Sequence, residues 1–316
     1  MAEIVFGGYT AQELEKQYNA RAAVPDHARY FEDWRARSAA CRGRVRHRLD
    51  VSYGESEGET LDLFLPDPAK GPVHMFIHGG YWRGMDKSDF SYLAEGLAGR
   101  GALVAIVNYG LCPRVTLDEI VRQMRAACDW LWRNCGGFGG DPARIHLSGH
   151  SAGGHLTAML MATDWPAFAS DLPADLVKSG VPVSGLFDLE PMLHIPLNED
   201  LRLDREAARR NSPARLTPVA ESPLTVVVGG AETDEFRRQS RDFAAAWRER
   251  GAPVDFVEMP GLHHFSVMDG LAEAGDPLTD ILLERMGLAP EGPSGSGGAD
   301  PRVARRRTSR KGRGED

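Results

Sequence analysis

The stretch RIHLSGHSAGGHL (144–156) breaks an apolar, β-branched run with glycine, passes one serine, and resumes as an apolar helix. Gly149-His150-Ser151-Ala152-Gly153 has G-x-S-x-G spacing, the pattern of a strand-turn-helix that lifts a serine hydroxyl above the carboxyl ends of a sheet. Small residues flank such a serine because its backbone is strained and a neighbouring Cβ would strike the strand or the helix. The amide of Ala152, at the start of the helix, is positioned to stabilise a developing oxyanion.

A serine hydroxyl is a weak nucleophile until an imidazole takes its proton, and the imidazole needs an acid to fix its tautomer. In the chain order nucleophile, acid, base, the acid follows a late strand and the base lies beyond the last one. After LTVVV (224–228), GGAETDEFRRQS offers Glu232, Asp234 and Glu235. Glu232, nearest the strand, is the preferred acid and Asp234 the alternative, because Asp234 and Glu235 also suit the first turn of a helix. After VDFVEM (254–259) come His263 and His264 in a loop; His264, beside Phe265, is the preferred base and His263 the alternative.

The second half of an oxyanion hole is read in MFIHGGYWRGMDKSDFSYLA (75–94). A strand ending in His78-Gly79-Gly80 lets bare amides approach a substrate carbonyl, so Gly79, Gly80 and Tyr81 join Ala152 as candidates. His78, Tyr81 and Trp82 are the candidate substrate-binding residues, the two aromatics stacking on an aryl ring or, alternatively, lying buried under a cap. A dinucleotide loop is disfavoured because G-x-G-x-x-G is absent. His146, His150 and His155 lack H-E-x-x-H spacing, so no zinc site is expected, and His150 and His155 are read as packing locally.

These residues need a sheet to hold them. VHMFI (73–77), LVAIVNY (103–109), RIHLS (144–148), LTVVV and VDFVEM read as strands covered on both faces, and LDLFLP (61–66) as an antiparallel edge strand. Thr116 with Glu119, and Thr10 with Glu13, are capping-box pairs opening helices. Helical periodicity also recurs at Phe90–Leu97 and Phe236–Trp247, and residues 10–40 read as helices packed on the outside. The proline-rich stretch 164–223 is assigned to a small cap. The alternation predicts an α/β fold with a mostly parallel central sheet flanked by helices. Residues 1–45 form an N-terminal helical segment, 46–289 the catalytic domain, and 290–316 a basic tail too poor in apolar residues to order.

With 316 residues, 42% of them hydrophobic, the chain can bury one large core. Net charge is −8, and the tail from residue 291 holds seven basic and four acidic residues, so the body carries −11. An acidic body argues against nucleic acid as a partner. No leader or apolar span is seen, which gives the expectation of a cytoplasmic protein away from membranes. Four cysteines without CxxC spacing are expected to be buried free thiols.

With both glycine motifs in place, the sequence resembles the α/β-hydrolase fold and, within it, the arylformamidase (kynurenine formamidase) family, whose HGGxW motif is matched by residues 78–82. YNARAAVPD (18–26), DKSDFSYLA (86–94), NYGLCP (108–113), FGGDPARIHLSGHSAGGHL (138–156), DEFRRQS (234–240) and HHF (263–265) extend the similarity over roughly residues 10–288. The resemblance implies hydrolysis of N-formyl-kynurenine to kynurenine and formate, a step of tryptophan breakdown, by a Ser-His-acid triad without cofactor or metal. It places the acid two residues before DEF, at Glu232, where the family commonly has aspartate, and that departure keeps Asp234 open. Relatives with the same elements act on carboxylic esters, so a carboxylesterase of short aryl or alkyl esters is the alternative. The partner is a small-molecule formamide or ester, with a homodimer left open.

Overall fold

The computed structural model describes residues 3–67, 70–272 and 275–288; the tail assigned to 290–316 lies outside them. A two-stranded ribbon, β1 (Ile4–Phe6) and β2 (Tyr9–Thr10), runs into α1 (Ala11–Tyr18), α2 (Ala20–Ala23) and α3 (His27–Arg44). Then come β3 (His47–Ser52), β4 (Thr60–Phe64), β5 (Gly71–Ile77), α4 (Ala94–Ala98), β6 (Leu103–Val107) and α5 (Leu117–Asn134). A sharp turn at Ser151 joins β7 (Gly140–His150) to α6 (Ala152–Met161), followed by α7 (Trp165–Phe168) and β8 (Val177–Val183). The chain continues through α8 (Asn198–Leu201), α9 (Arg205–Arg210), β9 (Leu224–Gly229), α10 (Asp234–Glu249), β10 (Val254–Met259) and α11 (Pro277–Met286).

Strands β3–β10 form one sheet in the order β10-β9-β8-β7-β5-β6-β4-β3, parallel except where β4 and β3 run against their neighbours. Its continuous apolar runs are explained by burial on both faces: no residue of β6 reaches solvent. On one side α5, α6 and α10 cover it through Ile120, Met124, Leu156 and Phe243. On the other, α3, α4 and α11 do so through Trp34, Leu97 and Leu282. Each such side chain contributes roughly 1.5–3 kcal/mol on burial. All four cysteines are buried free thiols, and no helix among the described residues is long and apolar enough to cross a membrane.

Four local expectations change. The strand at 61–66 is antiparallel but internal, because β3 pairs beyond it and takes the edge. The stretch Phe90–Leu97 is not one α-helix: it divides between a 3-10 turn, Ser91–Leu93, and the start of the five-residue α4. At Thr10 the capping box is complete, whereas at Thr116 only the hydroxyl caps, the Glu119 carboxylate being engaged by Arg122. The span 164–223 is not all cap: it contains the central strand β8, whose sequence VKSGVPV is interrupted by Gly180 and Pro182. Proline is tolerated there because β8 meets β9 at few positions, and Pro182 lies between the paired residues Gly180 and Val183.

Candidate active site

β5 and β7 are neighbours at the sheet centre, and their register sets Ile77 beside Gly149. The His78-Gly79-Gly80 turn and the Ser151 turn therefore leave the sheet side by side. Ser151 has φ +56° and ψ −117°, and its amide donates to the Val183 carbonyl at 2.9 Å. Such a conformation costs on the order of 1–3 kcal/mol in a non-glycine residue, so the surroundings must impose it. They leave no room for larger neighbours: a Cβ on Gly149 would lie 2.3 Å from the Gly153 carbonyl oxygen, and one on Gly153 would lie 1.9 Å from that of Ile77.

The other turn is left-handed over three consecutive residues, Gly80, Tyr81 and Trp82, at φ +104°, +51° and +56°. Tyr81 Oη donates to the Tyr18 carbonyl of α1, and Trp82 Nε1 donates to His155 Nδ1 at 3.2 Å. The Cys112 amide closes on the Trp82 carbonyl at 2.8 Å. So held, the amides of Gly80 and Tyr81 have no acceptor among the described residues. The Ala152 amide, heading α6, also lacks an intrahelical acceptor.

Glu232, just past β9, is sealed from solvent and accepts the Nδ1–H of His264 on Oε2 at 2.7 Å. Its Oε1 accepts the Gly229 amide at 2.8 Å and the Ser184 hydroxyl. The His264 ring packs between His150 and Phe236, each with ring centroids 4.6 Å away. With Nδ1 committed to Glu232, Nε2 is the nitrogen left for proton transfer. Ser151 and His264 line the same cavity of about 650 Å³, without a direct hydrogen bond between them. Such contacts often tighten only when substrate is bound.

The alternatives lie elsewhere. Asp234 is 78% exposed and opens α10 beside Arg237. His263 meets Tyr30 Oη at 3.1 Å. Two substrate-binding expectations are corrected. Trp82 is fully buried and His78 likewise, and neither lines the cavity. His78 stacks between Phe90 and Tyr109 and donates through Nδ1 to the Gly79 carbonyl at 2.8 Å, which makes it a support of the turn. Gly79 brings its backbone against Ser151, with room for a Cβ only 3.1 Å from the serine Cβ. Tyr81 and Gly80 do face the cavity.

Sequence reasoning missed three contributions. The N-terminal helices do more than pack outside: Tyr18, Arg21, Phe31 and Trp34 form a cavity wall. The cap adds Ile195 and Leu197, and α8 is tied to the Gly80–Trp82 turn by the Arg83–Asp200 ion pair. Ser184, at φ +51° beyond β8, was hidden with its strand. Among the described residues no cluster of three or more His, Cys, Asp or Glu could hold a metal ion.

Residues 74–268 match the family model described as alpha/beta hydrolase fold. The chain is 33% identical to a kynurenine formamidase of Danio rerio over 87% of its length and 96% of that protein's. It is 31% identical to the esterase LipQ of Mycobacterium tuberculosis, over 68% of this chain and 56% of that one. Among solved structures, a putative thioesterase from Silicibacter superposes with a TM-score of 0.76 at 35% identity, covering 85% of this chain and 98% of that one.

Proposed function

The chain belongs to the alpha/beta hydrolase fold family, among the kynurenine formamidases, and on that premise we propose that it hydrolyses an aryl formamide, N-formyl-kynurenine being the substrate of choice. The observation that carries this reading is the buried Glu232–His264 hydrogen bond on the cavity that Ser151 also lines. Ser151 Oγ attacks the formyl carbon while His264 Nε2 takes its proton, and Glu232 holds the tautomer and stabilises the imidazolium. The amides of Gly80, Tyr81 and Ala152 receive the oxyanion, each donor being worth on the order of a hundredfold to a thousandfold in rate. As the C–N bond breaks, His264 returns the proton to the aniline nitrogen. Water, deprotonated by the same imidazole, then releases formate from the formyl-serine. Tyr81 flanks the aryl ring, and glycines near the carbonyl leave a formyl group uncrowded.

The second reading is a carboxylesterase, favoured by the similarity to LipQ. A substrate panel tests both. Wild type should turn over N-formyl-kynurenine ahead of phenyl acetate, and Ser151→Ala should lose activity by three or more orders of magnitude. Ester turnover without formamide turnover would select the carboxylesterase, and an active Ser151→Ala would overturn both.

A further inference from the structure

His150 lies between the two turns and has no part in the mechanism above. Only 4% exposed, it touches the same cavity as Ser151 and His264. Its Nε2 lies 2.8 Å from the carbonyl oxygen of His264. A carbonyl only accepts, so Nε2 carries the hydrogen. Burial and the neighbouring His264 hold the His150 pKa well below its usual value, so the ring is neutral and Nδ1 is an obligate acceptor. Nδ1 bonds no described residue, yet it is not among the described buried polar atoms sealed without a partner, so it opens on the cavity. It faces the oxyanion turn, 3.5 Å from where a Cβ on Gly79 would stand.

Here is an acceptor of fixed tautomer beside the imidazole that must protonate the leaving atom. An amide and an ester of one shape differ at that atom. When Ser151 attacks an amide, the nitrogen lone pair turns toward His264, and the N–H turns away and loses its water. An ester oxygen carries no hydrogen and makes no such demand. We propose that His150 Nδ1 accepts the N–H of the scissile amide and thereby sets a preference for formamides over esters. This inference rests on the formamidase reading and makes His150 a specificity-determining residue. His150 itself neither gains nor loses a proton. An ortho carbonyl on the leaving aniline offers an internal acceptor, so dependence on His150 should be greatest for a formanilide without one.

Two substitutions separate the nitrogens. His150→Asn keeps an acceptor near the place of Nδ1 and loses the donor to His264, whereas His150→Gln keeps a donor near Nε2 and loses the acceptor. The measurement is kcat/KM for formanilide divided by that for phenyl formate, corrected for spontaneous hydrolysis. The ratio should fall about tenfold in His150→Gln, the size of one hydrogen bond of about 1.4 kcal/mol. It should hold in His150→Asn even if both rates drop through a loosened His264 loop. An unchanged ratio in His150→Gln, with wild-type formamidase activity present, overturns this inference alone. A wild type without formamidase activity overturns it together with the reading beneath it.

Discussion

Ser184 Oγ donates a hydrogen bond to Glu232 Oε1 from a residue held at φ +51°, where β8 gives way to the cap. With the Gly229 amide on the same oxygen, it turns the carboxylate so that Oε2 meets His264. Ser184→Ala keeps the Cβ and removes one of the two donors. A buried acceptor deprived of a partner costs about 1–3 kcal/mol. We expect kcat to fall about tenfold and the melting temperature by several degrees, read by steady-state kinetics and thermal unfolding. Full activity in this variant would remove the hydroxyl from the support of the acid.

The assignment of the acid is tested by a pair of isosteric changes. Glu232→Gln places an amide against the His264 Nδ1–H and disturbs the tautomer, so kcat should fall by on the order of 10³–10⁴. Asp234 is exposed, and its nearest cation, Arg237, is 3.9 Å away, so Asp234→Asn should stay within about twofold of wild type. The reverse pattern would move the acid to Asp234.

What the sequence made readable, and what it hid, follows from how far each signal reaches along the chain. Strands buried on both faces, such as LVAIV in β6, show themselves as β-branched runs. β8 does not, because Gly180 makes room for Met161 and Pro182 sits where pairing is sparse. Ser184 was hidden with it, since its hydroxyl matters only once β8 stands beside β9. The sharp turns at Gly80 and Ser151 were readable because a left-handed backbone and a close approach restrict residue type locally. Which way His78 and Trp82 face is decided by distant partners, Tyr109 and His155. The periodicity of the N-terminal helices likewise shows that a face is buried, not that a cavity lies beneath it.

Two glycine-to-alanine changes should have opposite signs. The Cβ of Gly153→Ala would collide with the Ile77 carbonyl at 1.9 Å, and backbone on both sides must move. A loss of about 3 kcal/mol or more is expected, with activity lost as α6 leaves β5. In α3, Gly43 has nothing within 4 Å of a new Cβ, so Gly43→Ala should gain about 0.5–1 kcal/mol through helix propensity. Urea unfolding midpoints check both, and a Gly153→Ala protein of wild-type stability would contradict the packing at the Ser151 turn.

Acid should unfold this protein through its interior histidines. Burial lowers His74 to about 3 and His146 and His155 to about 4, and His78 and His150 are pushed down as well, all from an ordinary 6.5. A histidine kept neutral by the fold contributes stability that is intact above pH 6.5, where neither folded nor unfolded chain binds its proton. As pH falls from 6.5 toward about 4 the unfolded chain binds protons that the folded one refuses, and each such group withdraws up to about 1.4 kcal/mol per pH unit. Three or more groups acting together would consume a typical margin of 5–15 kcal/mol within about two units. Unfolding free energies from urea titrations should therefore be level with respect to these groups above pH 7 and drop steeply between pH 6 and 4.5. Replacing His155 by glutamine, which keeps a donor for the Asn211 carbonyl, should lessen that slope. A curve that stays level down to pH 5 would mean that these imidazoles take up protons in the folded protein as readily as in the unfolded one.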